Sequence, residues 1–226
     1  MPASLKIVQL NIEGSKHLDL VIPFLKEQEP DGVCLQELPE PEVARVGEVL
    51  GVRCSYAAMS IDQGAPTGVG IFSKKTAVSA RALQYGGHAQ EQLLEYIHGN
   101  RVAGYHSSKF FLAMADIEKD GEMFRIGTTH FPVTSRGEAS DYQQESMRNM
   151  LKLLAEEGEF VLTGDFNAPR GGEIFAELAS RYKDNIPSEI TTSIDGSLHR
   201  AGQLPHMVDG IFSTQGYTLS NVVGHT

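Results

Sequence analysis

The chain of 226 residues has no tryptophan, two cysteines and few cations, and each scarcity removes a class of function. Cys34 and Cys54 do not form a CxxC pair, so a thiolate zinc site is not expected. Cys34 lies in the apolar run Gly32-Val33-Cys34-Leu35 and reads as a small buried hydrophobe rather than half of a disulfide. No uninterrupted apolar stretch reaches the roughly 18 residues of a membrane span. The start, Met1-Pro2-Ala3-Ser4-Leu5-Lys6, lacks a signal-peptide core, so a cytoplasmic protein is expected. Lys and Arg total 19 against 29 Asp and Glu, a net charge of −10. That field repels polyanions, so extended wrapping of a duplex is not expected, and small or terminal phosphate esters are the safer substrate class.

What is present is ordinary for a globular α/β protein: 41% apolar and 21% charged residues. There is no internal repeat or long linker, and strand-like runs alternate with helical ones. Residues 5–12, 32–38, 68–73, 110–117, 123–131, 160–166, 207–213 and 218–223 are expected to be strands. Residues 15–28 carry Leu18, Val21, Ile22 and Leu25 at helical spacing, with Ser15 as N-cap. Further helices are expected over 41–50, 139–156 and 173–179, the second with an apolar stripe of Met147, Met150, Leu151 and Leu154. Parallel crossovers at the start and an antiparallel hairpin in the middle suit two packed mixed sheets flanked by helices, a four-layer α/β sandwich. The stretch 84–109 is poorly patterned and reads as a mobile loop bordering a substrate. Its His88, His98 and His106 are spaced unlike any zinc-ligand template.

Polar residues stand at the ends of these apolar strands. Asn11 ends the first, Glu37 the second, His130 the hairpin strand. Leu162-Thr163-Gly164-Asp165-Phe166-Asn167 puts a carboxylate and an amide two residues apart, on one face if the segment stays extended. Asp209 sits among apolar neighbours in Met207-Val208-Asp209-Gly210-Ile211-Phe212, where a carboxylate needs a partner. Strand ends on one sheet edge are where α/β enzymes assemble sites from distant sequence.

In order along the chain, LNIEG, LQEL, THF, LTGDFN and VDGIF resemble the motifs of the endonuclease/exonuclease/phosphatase superfamily of metal-dependent phosphoesterases. The resemblance implies that Glu37 is the main Mg²⁺ ligand, with Asn11 beside it and Glu13 near the metal; hard oxygen donors favour Mg²⁺ or Mn²⁺ over zinc. It also implies that Asp165 positions or deprotonates the attacking water, that Asn167 holds a phosphate oxygen, and that His130 donates to developing negative charge. Asp209 matches the aspartate that pairs with a late histidine. The implied activity is hydrolysis of a phosphodiester or phosphomonoester, in nucleic acid or a small phosphorylated molecule, by a monomer.

Two departures stand out. The family closes with Ser-Asp-His before an apolar strand, and this chain, which ends Gly224-His225-Thr226, has no such triplet. One domain over 1–226, lacking its C-terminal Ser-Asp-His strand, is therefore expected. The alternative is a catalytically impaired module of the same fold that binds phosphorylated ligands. Gly210 stands where the family often has a larger residue, which would widen the site.

Overall fold

The computed structural model describes residues 3–74, 77–199, 202 and 204–224. The first crossover sets the pattern. Strand β1 (Ile7–Asn11) passes through helix α1 (Leu18–Gln28) to β2 (Gly32–Pro39), which pairs parallel to it from Ile7↔Gly32 to Asn11↔Gln36. Helix α2 (Glu40–Leu50), β3 (Arg53–Asp62) and β4 (Ala65–Ser73) complete a four-stranded sheet of order β1-β2-β4-β3. The second sheet holds β5 (Ser79–Gly87), β6 (Lys109–Lys119), β7 (Glu122–His130), β8 (Val161–Asp165), β9 (Lys183–Asp184) and β10 (Asp209–Ser213) in the order β5-β6-β7-β8-β10-β9. Helix α3 (Arg101–His106) precedes β6, helix α4 (Asp141–Leu154) carries the chain from β7 to its parallel neighbour β8, and α5 (Glu173–Ala179) follows. The result is the expected four-layer α/β sandwich. Among the described residues no helix is long and apolar enough to cross a membrane.

The layers follow from side-chain alternation along buried strands. On β2, Val33 and Leu35 face Leu18, Leu25 and Val46 of the helical layer. Cys34, between them, faces the other sheet with Met114 and Leu162. Both faces are covered, which is why the run is apolar without a break. Gln36 continues the Cys34 face and is fully buried between the sheets. Met147, Met150, Leu151 and Leu154 of α4 are buried as their spacing predicts, and Ser140 caps the helix by accepting the Gln143 N–H.

Several local expectations need correction. Helix α1 starts at Leu18 with His17 at its N-cap, while the Ser15 hydroxyl donates to Glu42 Oε1 at 3.1 Å. The delay arises in a left-handed turn at Glu13 and Gly14 (φ 46° and 73°), pinned by Gly14 N–H on the Glu37 carbonyl. Residues 218–223 form no strand and join neither sheet. Strands β3 and β5 were not apparent in the pattern. The ends of the stretch 84–109 belong to β5, α3 and β6, while 88–100 is loop, tied by a bridge from Glu95 to Ile61 on β3.

Candidate active site

Three of the strand-end residues fall on one rung. His130 is the register partner of Asp165 across β7 and β8, and Asp165 is the partner of Asp209 across β8 and β10. Partners on one rung project to the same face, so imidazole and two carboxylates emerge together although some eighty residues separate first from last.

Asn11 brings the other sheet to this row. Its Nδ2 donates to Glu37 Oε1 and to Asp165 Oδ2, both at 3.0 Å, and its Oδ1 accepts the Glu13 N–H at 3.1 Å. One amide thus holds two carboxylates close together that would otherwise repel. His130 Nε2 lies 3.8 Å from Glu37 Oε1 and 3.9 Å from Asp165 Oδ2, beyond hydrogen-bond reach. Among the described residues, the ring nitrogen makes no hydrogen bond to either carboxylate.

Glu37 is placed by a break in β2. The β2–β4 register shifts between Leu35 and Leu38, and Glu37 has φ 52°. A non-glycine residue in the left-handed region stores strain of order 1 kcal/mol or more, and such bulges re-aim side chains beside sites. Here the bulge turns the carboxylate toward Asn11 and leaves its side chain 38% exposed.

Asn167 does not continue β8 as an extended residue. The strand ends at Asp165, and Asn167 adopts φ 48°. Asp165 Oδ1 accepts the Asn167 N–H at 2.8 Å, an Asx turn, while Asn167 Nδ2 donates to the Phe131 carbonyl at 2.9 Å. The two side chains still share the rim, but through this turn rather than through strand alternation. The Glu13 carboxylate pairs with Lys16 at 3.0 Å rather than with the Glu37 group.

Asp209 is the interior member. Burial first, and the charge of Asp165 second, push its carboxyl up to about 7 from an ordinary 3.8. The groups that favour its charged form are both neutral, the Ser193 hydroxyl and the Gln9 amide. Gln9 was overlooked in the sequence, although it lies two residues before Asn11 and so on the same face of β1. Gln143 was overlooked as well: it is fully buried, and its Nε2 donates to the Pro132 carbonyl at 2.6 Å, bracing the loop after His130. Tyr96 flanks the site from the 84–109 stretch, its hydroxyl pushed up by burial and then by the Glu37 carboxylate.

Gly210 does not widen the site. A Cβ there would lie 2.5 Å from the Phe212 ring and 2.8 Å from the Phe166 ring, so two packed aromatics already fill the space. His98 pairs with Asp62 at 2.8 Å, and no group of three or more His, Cys, Asp or Glu among the described residues is placed to hold a metal by itself. His225 lies outside the described residues. A magnesium ion asks less of the protein: one or two carboxylates, with water and substrate phosphate supplying the remaining oxygens. The half-exposed Glu37 carboxylate fits that requirement; Asn11 could add an oxygen only through Oδ1, which here accepts the Glu13 N–H while its Nδ2 faces Glu37, and neither donor is soft enough to favour zinc.

No curated protein matches the chain. The family model described as Endonuclease/Exonuclease/phosphatase family matches residues 8–224. Among solved structures, a mannosyl-6-phosphatase of Bacteroides thetaiotaomicron has a TM-score of 0.68 at 14% identity, over 94% of this chain and 86% of that one. The catalytic domain of human Nocturnin with a bound sulfate anion has a TM-score of 0.60 at 17% identity, over 93% and 82%. A β-hairpin deletion mutant of Staphylococcus aureus β toxin has a TM-score of 0.64 at 14% identity, over 99% and 91%. At such identities the likeness is one of fold.

Proposed function

The chain belongs to the endonuclease/exonuclease/phosphatase family, and from that premise we propose that it is a Mg²⁺-dependent hydrolase of phosphate esters, with Mn²⁺ as a possible substitute. The observation that carries the reading is the Asn11 amide, which draws Glu37 and Asp165 from separate sheets to 3.0 Å each. Glu37 is the principal holder of the cation, with Asn11 beside it. Glu13, paired with Lys16, contributes only from further out. The cation, when bound, supplies Lewis-acid stabilisation of the phosphoryl oxygens.

The protein's own groups do the rest. Asp165 is aimed by the Asn11 amide and the Asn167 N–H, which leaves its carboxylate set to accept the proton of an attacking water. His130 Nε2, 3.8 Å from Glu37 Oε1 and 3.9 Å from Asp165 Oδ2, donates to charge developing on phosphate. The Asn167 amide adds a polar contact for a phosphate oxygen. Asp209 backs Asp165 from the next strand. The net charge of −10 favours a small phosphorylated molecule or a nucleic-acid end over a long duplex. A cytoplasmic monomer of one domain goes with this reading.

A second reading, a phosphate-ligand-binding module with impaired catalysis, is favoured by one observation: the partners of Asp209 are neutral amide and hydroxyl groups. Turnover of bis(p-nitrophenyl) phosphate with Mg²⁺ and with EDTA separates the two. Metal-dependent release that disappears in Glu37→Ala supports the enzyme. Phosphate binding without turnover supports the module.

A further inference from the structure

The carboxylate of Asp209 is held from the opposite sheet. Gln9, on β1, donates from its side-chain Nε2 to Asp209 Oδ1 at 2.6 Å and to Gln36 Oε1 at 2.8 Å. An amide nitrogen carries two hydrogens, so both are spent. Gln36, fully buried on β2, passes the chain onward by donating its Nε2 to Thr128 Oγ1 at 2.9 Å.

This chain has a direction, because an amide has a donor end and an acceptor end. A carboxylate accepts, so Gln9 must present its nitrogen. Gln36 must then present its oxygen to Gln9, and its nitrogen falls to Thr128. Thr128 stands two residues before His130 on the same face of β7. The relay therefore runs from the Asp209 rung, through β1 and β2 of the other sheet, back to the strand that carries His130. Ser193 supplies the second support: its hydroxyl bonds the carboxylate and its Oγ accepts the Asp209 N–H at 3.2 Å.

We propose that Gln9 is the positioning residue of the site: it fixes the orientation of Asp209 with a neutral amide where a charged partner would also cancel the carboxylate's charge. The inference rests on the phosphoesterase reading. An amide aims the carboxyl group through one of its oxygens in either protonation state and brings no charge of its own to the rung shared with Asp165. Gln36 and Thr128 act behind Gln9, keeping its amide from rotating. Buried polar chains of this kind are stable only when every member is satisfied, and replacing one member releases the next.

The test is a double-mutant cycle on the full chain with Mg²⁺ and bis(p-nitrophenyl) phosphate, together with a crystal structure of Gln9→Leu. Expected is a fall of about tenfold in kcat for Gln9→Leu with KM within about twofold, and a change of less than about twofold when Asp209→Asn is already present. In the crystal structure the Asp209 carboxylate should leave its present rotamer. Equal loss of kcat in both backgrounds, with a lowered melting temperature, would mean that Gln9 only supports the fold, and overturns the proposal. If Gln9→Leu does not fold, Gln9→Asn keeps the amide but is one methylene too short to span both acceptors, and serves in the same cycle. Absence of metal-dependent turnover in the wild type defeats the phosphoesterase reading instead; the Asp209 rotamer in the variant crystal then decides the role of Gln9 alone, an unmoved carboxylate refuting it.

Discussion

Asp165 and Asp209 are register partners on antiparallel β8 and β10, so two carboxylates stand side by side on one face of the sheet. Neither strand alone makes the pair remarkable in sequence. It is the ladder that turns two isolated acids into a coupled unit next to His130.

The first consequence is a pH dependence of stability. Asp209 is pushed up to about 7, so its neutral form is favoured in the folded chain. The stability linked to this group is complete below the ordinary carboxylate value of 3.8 and is lost as pH rises through about 7. Asp209→Asn removes the loss. Urea unfolding in EDTA should show the variant gaining on the wild type by about 4 kcal/mol between roughly pH 4 and pH 8. An unchanged difference across that window would show that Asp209 titrates as an ordinary surface acid.

Metal binding is expected to appear in stability as well as in turnover. A cation that binds only the folded state raises the melting temperature with its concentration. Millimolar Mg²⁺ should therefore raise the wild-type melting temperature above its value in EDTA, and should leave Glu37→Ala unmoved. An equal rise in both would place the cation elsewhere.

Asp165→Asn tests the base. Asparagine keeps one oxygen to accept the Asn167 N–H but sets an NH2 donor against Asn11 Nδ2, so the melting temperature is measured alongside turnover to check that the fold is kept. Loss of the proton acceptor should lower kcat by about 10²–10⁴. Activity within threefold of wild type, measured at saturating Mg²⁺, would assign the base to another group.

Gly164 separates a backbone requirement from a chemical one. It has φ 150°, and a Cβ on it would lie 2.3 Å from the Thr129 carbonyl oxygen. That obstacle is main chain of β7, which cannot move without breaking the ladder that aligns His130 with Asp165. Gly164→Ala should cost more than about 3 kcal/mol in denaturant unfolding. A near-native midpoint would mean that β7 and β8 can separate freely.

Both thiols are expected to be inert in the native protein. Burial pushes Cys34 up to about 11 and Cys54 up to about 12, so little thiolate is present near neutrality. Ellman's reagent should react slowly before unfolding and with two thiols in urea. Rapid labelling of the folded chain would contradict the packing around β2 and β3.

The long, periodic elements were readable from residues alone. Met147, Met150, Leu151 and Leu154 recur at helical spacing, and a helix with that face buried is what forms. The run 32–35 is apolar on both faces because both faces are covered, and it opens β2. Strand β5 was hidden because Arg81 takes a more buried alternate position while Ala80 and Ala82 face out, and its Gly86-Gly87 end reads as loop. Residues 218–223 have strand-like composition but pair with no strand among the described residues. The left-handed turns at Glu13, Glu37 and Asn167 were not readable at all, since each is a non-glycine residue that local preference would place elsewhere.

Composition, periodicity and the ordered polar strand ends were enough to specify the sandwich and to single out Asn11, Glu37, His130, Asp165 and Asp209, because periodicity and strand-end polarity are local properties that the chain carries openly. Which of these side chains touch was settled by strand pairing across long sequence separations and by three strained turns. A hydrogen bond such as Gln9 to Asp209 joins residues 200 positions apart, and its existence depends on two sheets closing face to face, a relation that no short stretch of chain encodes.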